Sequence, residues 1–111
     1  MRFSLKEALN KLPAPDGRRF TVEYERGTLS LEVYAPRGVD YQMPHPRDEV
    51  YVVVRGHGTF VRSGARAQFE TGDCLFVGAG EPHRFEDFSD DLVVWVIFYG
   101  PAGGEAVSGP N

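Results

Sequence analysis

Two hydrophobic periods divide the chain. Leu5, Ala8, Leu9 and Leu12 recur at helical spacing. Ser4-Leu5-Lys6-Glu7 before them has the form of a capping box, with Glu7 at the third helical position. Pro13 and Pro15 end this short helix. Lys6, Asn10 and Lys11 lie off its apolar stripe, which predicts one face buried against the body of the domain or against a second copy. From Phe20 the period becomes two: Phe20, Val22 and Tyr24 alternate with Thr21, Glu23 and Glu25. After a turn at Arg26-Gly27-Thr28, Leu29, Leu31 and Val33 alternate with Ser30, Glu32 and Tyr34. Further short runs cover Val50–Val54, Thr59–Val61, Ala65–Phe69, Cys74–Val77, His83–Phe85 and Leu92–Tyr99. Gly56-His57-Gly58, Ser63-Gly64, Thr71-Gly72-Asp73 and Gly78-Ala79-Gly80-Glu81-Pro82 separate them. Many short strands with regularly spaced turns predict an all-β sandwich or barrel.

The chain has 111 residues, enough for one domain. The expected organisation is an N-terminal helical segment over 1–15, a barrel over 16–100 and a tail over 101–111 whose final residues have little to bury. A net charge of −4 gives no general attraction for phosphate backbones, so nucleic acid is not an expected partner. Leu92–Tyr99, the longest apolar run, is too short to cross a bilayer. No apolar stretch of a signal peptide follows Met1, and a cytoplasmic location is the expectation. Cys74 is the single cysteine, which excludes an intrachain disulfide; it reads as a small buried hydrophobe of a core strand.

Two segments carry candidate chemistry. The first contains Met43, His45 and Glu49. On a straight strand residues four apart are separated by about 13 Å, so His45 and Glu49 share a metal only if the chain turns between them. Pro46-Arg47-Asp48 is suitable turn material, and Pro44 and Pro46 exclude a helix. The plain alternative is a solvated turn. A second segment runs from Gly72 to Asp87 and opens a strand at His83, with Phe85 and Asp87 on the same face. His83 reads equally as a ligand or as a core histidine satisfied by a backbone carbonyl.

Taken together, the segments resemble the two motifs of the cupin superfamily, G-x5-H-x-H-x3/4-E-x6-G and G-x5-P-x-G-x2-H-x3-N. His45, Glu49 and Gly56 match the first; Gly72, Gly80 and His83 match the second. Fifteen residues, 57–71, separate the two, and the match spans about residues 29–99. The resemblance is to very small single-domain cupins. It implies a double-stranded β-helix, or jelly-roll, barrel with a short N-terminal helix and a metal site at His45, Glu49 and His83.

Departures are visible as well. Met43 stands at the first metal histidine's position, Gly78 replaces the usual Pro and Asp87 the usual Asn, and Gly38 is one residue out of register. Met43 is either packing or a thioether ligand for a soft metal. Two histidines and one carboxylate suit Fe, Mn, Ni or Zn and leave open positions. Tyr51 shares a strand face with Glu49 and is a possible pocket residue, as is Phe85 from His83; the parity of Trp95 is undecided. His57, in a tight turn, is not expected to ligate. Glu86, Asp87, Asp90 and Asp91 read as a solvated loop, with a weak Ca²⁺ site as the alternative. Arg18, Arg19, Arg37 and Arg47 are each able to bind a substrate carboxylate, and nothing in the sequence picks one.

The resemblance implies a metal-dependent dioxygenase, isomerase or cyclase acting on a small polar organic molecule. The alternative is a non-catalytic binding or sensing module whose metal site is degenerate or empty. Pairing through sheet edges and the N-terminal segment, common among cupins, implies a homodimer.

Overall fold

Residues 1–107 are described by the computed structural model; residues 108–111, the end of the expected tail, lie outside it. The helix α1 covers Leu5–Asn10. Ser4 caps it, its Oγ accepting from the Glu7 N–H at 3.2 Å. Eight strands follow: β1 (Phe20–Arg26), β2 (Leu29–Tyr34), β3 (Asp48–Arg55), β4 (His57–Arg62), β5 (Ala65–Glu70), β6 (Cys74–Val77), β7 (His83–Glu86) and β8 (Val93–Tyr99). They form a five-stranded sheet in the order β1-β2-β8-β3-β6 and a three-stranded sheet in the order β5-β4-β7, antiparallel throughout. From β3 onward the chain passes repeatedly between the sheets. This is the predicted all-β jelly roll.

The core lies between the sheets. Tyr51, Val53, Phe60, Phe69, Phe85, Val94 and Val96 face one another there, all buried. Phe85 is its centre: its ring stands 5.0 Å from Tyr51, 5.2 Å from Phe60 and 5.4 Å from Phe69, in tilted and edge-on arrangements that suit aromatic quadrupoles. A second, smaller cluster explains why β8 is apolar on both faces. Val33, Val93 and Ala35 meet the fully buried Ala8 of α1, with Leu5, Leu9, Leu12 and Trp95 around them. The helix therefore packs on its own barrel, and Trp95 belongs to that outer face.

Three local features depart from strict alternation. The β1–β2 register shifts between Val22 and Tyr24, so Tyr24 leaves the face of Phe20 and packs on Phe3 at 5.2 Å. Cys74 is exposed rather than buried. β6 is the edge of its sheet; Leu75 and Val77 point inward, and the opposite parity turns Cys74 and Phe76 outward. Asp87 has φ +48°, which turns the chain after β7 and puts its carboxylate in solvent instead of beside His83 and Phe85.

The joint between β3 and β4 needs glycine. Gly56 has φ +104°, and a Cβ there would lie 2.8 Å from the Leu92 Cα. The stretch after β8 is tied back, with the Gly103 N–H on the Pro46 carbonyl at 2.7 Å and the Glu105 N–H on the Asp48 carboxylate at 2.9 Å. Among the described residues no helix is long and apolar enough to cross a membrane.

Candidate metal centre

The bend at Pro46–Arg47 ends the irregular segment 41–45 and starts β3 at Asp48. That turn brings His45 back over Glu49, the second residue of the strand. Glu49 pairs in register with Phe98 of β8 on one side and Val77 of β6 on the other, and its side chain points into the barrel with Tyr51 and Val53. His83 opens β7 after the turn 78–82. The Gly80 N–H donates to the His45 carbonyl at 2.7 Å, fastening that turn to the first segment. Thus the two motifs are joined by a main-chain bond as well as by their side chains.

His45, Glu49 and His83 each offer a ligand atom within 4.8 Å of the others. Glu49 Oε1 lies 3.2 Å from His83 Nε2, and both side chains are essentially inaccessible to solvent. His45 Nε2, both Glu49 oxygens and His83 Nε2 are buried with no hydrogen-bond partner among the described residues. The other edge of His83 is occupied: Nδ1 lies 2.9 Å from the Glu81 carbonyl. A carbonyl only accepts, so Nδ1 carries a proton, and Nε2, facing Glu49 and His45, is the atom left to ligate whenever the ring is neutral. The His45 ring is held edge-on to Phe98 at 4.9 Å.

Burial draws the His45 pKa below the ordinary imidazole value, keeping it a neutral donor. Burial acts the same way on His83, but the Glu49 carboxylate 3.2 Å away and the Glu81 carbonyl outweigh it and hold the pKa above the ordinary value. Four unpartnered polar atoms in a dry site are costly. A divalent cation would satisfy all of them together, and the nitrogen and oxygen donor set fits Fe(II), Mn, Ni or Zn.

Met43 is not part of the cluster. It is 73% exposed on segment 41–45, which forms no strand, so the alternation that would have placed it beside His45 does not apply. Tyr51 and Phe85 are fully buried core residues rather than cavity lining. Tyr51 stays near the cluster, its hydroxyl donating to Gln42 Oε1 at 2.7 Å; burial and the Glu49 charge raise its pKa well above the ordinary phenol value. His57 is exposed, and the acidic loop is solvated, with Glu86 paired to Arg66 at 2.8 Å.

Two acids that pattern reading passed over organise the surroundings. Asp40, 7% exposed, accepts from Tyr34 Oη at 2.6 Å, the Gln42 N–H at 3.1 Å, Gln42 Nε2 at 2.8 Å and the Phe85 N–H at 2.8 Å. It links β2, the first motif and the outer edge of β7. Asp48, also 7% exposed, accepts from the Ala79 and Glu105 N–H groups at 3.0 and 2.9 Å, joining the Gly-rich turn to the C-terminal stretch. The signal for both was a carboxylate amid turn residues, which is indistinguishable in sequence from a solvated one.

Beside the cluster a cavity of about 780 Å³ runs across the inner face of the large sheet. His45 and Glu49 reach its wall, Val96 and Phe98 form apolar floor, and Glu32 and Tyr34 extend it toward β1. Burial pushes the Glu32 carboxyl pKa above its ordinary range. All four arginines singled out in the sequence line this cavity.

A jelly roll with a buried His–Glu–His cluster beside an open cavity defines the class as a small β-barrel protein with a candidate metal site. Residues 30–99 match the cupin domain family, and the chain belongs to that family. An uncharacterised protein of Streptomyces coelicolor is 36% identical over 101 residues, 89% of this chain and 95% of that protein. The acireductone dioxygenase of Geobacillus thermodenitrificans is 36% identical over 66 residues, 53% of this chain but only 37% of the enzyme. Among solved structures, a cupin 2 conserved barrel domain protein of Salinispora arenicola superposes with a TM-score of 0.67 at 18% identity, over 90% of this chain and 87% of that one.

Proposed function

We propose that this cupin holds a divalent transition metal on His45, Glu49 and His83 and uses it on a small polar organic molecule in the adjoining cavity. The observation that carries the reading is the convergence of four buried, unpartnered donor atoms. Three protein ligands leave coordination positions open, and a metal so bound supplies Lewis-acid polarisation to a coordinated substrate oxygen. The chain's own residues prepare the site. Glu81 fixes the His83 tautomer, Phe98 orients the His45 ring, and the Tyr51–Gln42–Asp40 chain of hydrogen bonds holds the wall beside Glu49. Val96 and Phe98 make part of that wall apolar. The partial similarity to an acireductone dioxygenase supports oxygenation as the first reaction class to assay.

Metal analysis after reconstitution tests the premise. About one equivalent per chain is expected, and less than about a tenth would overturn it. His45→Ala and His83→Ala should each lose most of the metal while keeping the far-ultraviolet circular dichroism of a folded barrel. The same reading takes the protein to be a homodimer, supported by the open outer edges of β1 and β6 in the large sheet. A monomeric mass by light scattering at high micromolar concentration would contradict that part alone.

A further inference from the structure

Four arginines line the cavity against two glutamates, in a protein whose net charge is −4. Arg18 is answered by Asp16, 2.8 Å away. The other three have no carboxylate at ion-pair distance among the described residues; their hydrogen bonds go to main-chain carbonyls. Arg19 Nε donates to the Ala35 carbonyl at 2.8 Å. Arg37 donates to the carbonyls of Pro36 at 2.8 Å and Leu92 at 3.1 Å. Arg47 donates to the Thr28 carbonyl and lies over the Phe98 ring at 5.6 Å. A carbonyl fixes a guanidinium in place without cancelling its charge, and the remaining N–H groups stay available for a forked contact with an oxyanion.

Arg19 and Arg37 approach from opposite sides of one joint. Arg19 enters β1, Arg37 leaves β2, and the Ala35 N–H closes the pair of strands on the Arg19 carbonyl at 2.9 Å. Burial, and then the Arg19 charge, draw the Arg37 pKa down, and the more distant Asp91 and Asp90, neither at ion-pair distance, oppose this only in part. On the acidic side Glu49 faces His83 and Glu32 accepts from the Ser30 hydroxyl, and neither carboxylate lies at ion-pair distance from Arg19 or Arg37.

We infer that the cavity binds an elongated organic anion whose carboxylate or phosphate head is clamped by Arg19 and Arg37 while its polar tail extends toward His45 and Glu49. This rests on the reading of the cavity as the ligand site. β1 and β3 are three strand spacings apart, about 14 Å, which suits a molecule of roughly ten to sixteen non-hydrogen atoms. Arg47, at the metal end, adds positive field along the path.

The test is calorimetric titration of the full-length protein, metal-loaded and metal-stripped, with two anionic probes, adipate and glucose 6-phosphate, and their neutral counterparts, adipamide and glucose. At least one anion should bind about tenfold or more tighter than its counterpart, and raising sodium chloride should weaken it. The tighter of the two identifies the head group as carboxylate or phosphate. Arg19→Gln combined with Arg37→Gln should weaken the anion by about tenfold or more, with metal content unchanged. Arg26→Gln, on the exposed β1–β2 hairpin, should do nothing. If the double glutamine variant does not fold, the charge-preserving Arg19→Lys with Arg37→Lys should retain salt-sensitive binding. Neutral probes binding as well as the anions, no anion binding at all, or a folded double variant with wild-type affinity would each overturn the inference. Metal uptake without anion binding sinks this inference alone; anion binding without metal uptake sinks the metal reading alone.

Discussion

Met43 occupies the position where the family motif places a metal histidine, yet it points to solvent. Met43→His should therefore leave metal affinity unchanged in a direct titration, whereas tightening would mean that segment 41–45 can fold inward. Gly78 is the second departure, and it has a structural use. Its N–H donates to Glu81 Oε2 at 2.6 Å, a bond that the usual proline, lacking an N–H, cannot make. That bond, with Ser63 and Arg62, holds the Glu81 carboxyl below its ordinary pKa. A carboxylate whose folded pKa is lowered stabilises the fold above its unfolded pKa, and the gain is lost as pH falls through the folded value. Glu81→Gln should thus lower the melting temperature at neutral pH, and the gap to wild type should close on acidification below the carboxylate range. A gap independent of pH would assign the effect to shape rather than charge.

At the scale of elements, the site depends on how β2, β3 and β7 are fastened to one another. Asp40 does most of this, since one buried carboxylate receives four donors from three parts of the chain. Asp40→Ala leaves the Phe85 N–H buried without a partner and removes the acceptor of the half-buried Tyr34 hydroxyl, and should cost about 2–3 kcal/mol in denaturant unfolding. Phe85→Ala tests the core beneath it and should cost about 3–5 kcal/mol by cavity formation. The periodicity reading located the strands because both sheets bury one face and period two survives in them. It missed the β1 bulge because one inserted residue changes every later parity without changing composition. It misplaced Cys74 because an apolar run at a sheet edge reads the same as one at the centre.

For the whole molecule, the proposed metal would be linked to the fold. A ligand that binds only the folded barrel stabilises it by about 2.7 kcal/mol at a hundredfold excess over its dissociation constant. Stripping the metal should therefore lower the melting temperature of the wild type, and should leave His83→Ala nearly unmoved. An equal response of the two proteins would place the metal elsewhere.

By itself the sequence determined the class of the molecule. Alternation, turn spacing and two ordered motifs suffice for an all-β jelly roll with a capped N-terminal helix, because those signals are local and repeat along the chain. The same motifs named His45, Glu49 and His83. Their convergence was decided by tertiary structure, through the bend at Pro46–Arg47 and the Gly80–His45 main-chain bond. So were the burial of Asp40 and Asp48, the exclusion of Met43, and the gathering of four arginines on one cavity. Each of these depends on which groups from distant segments share a dry volume, and a local pattern carries no record of that.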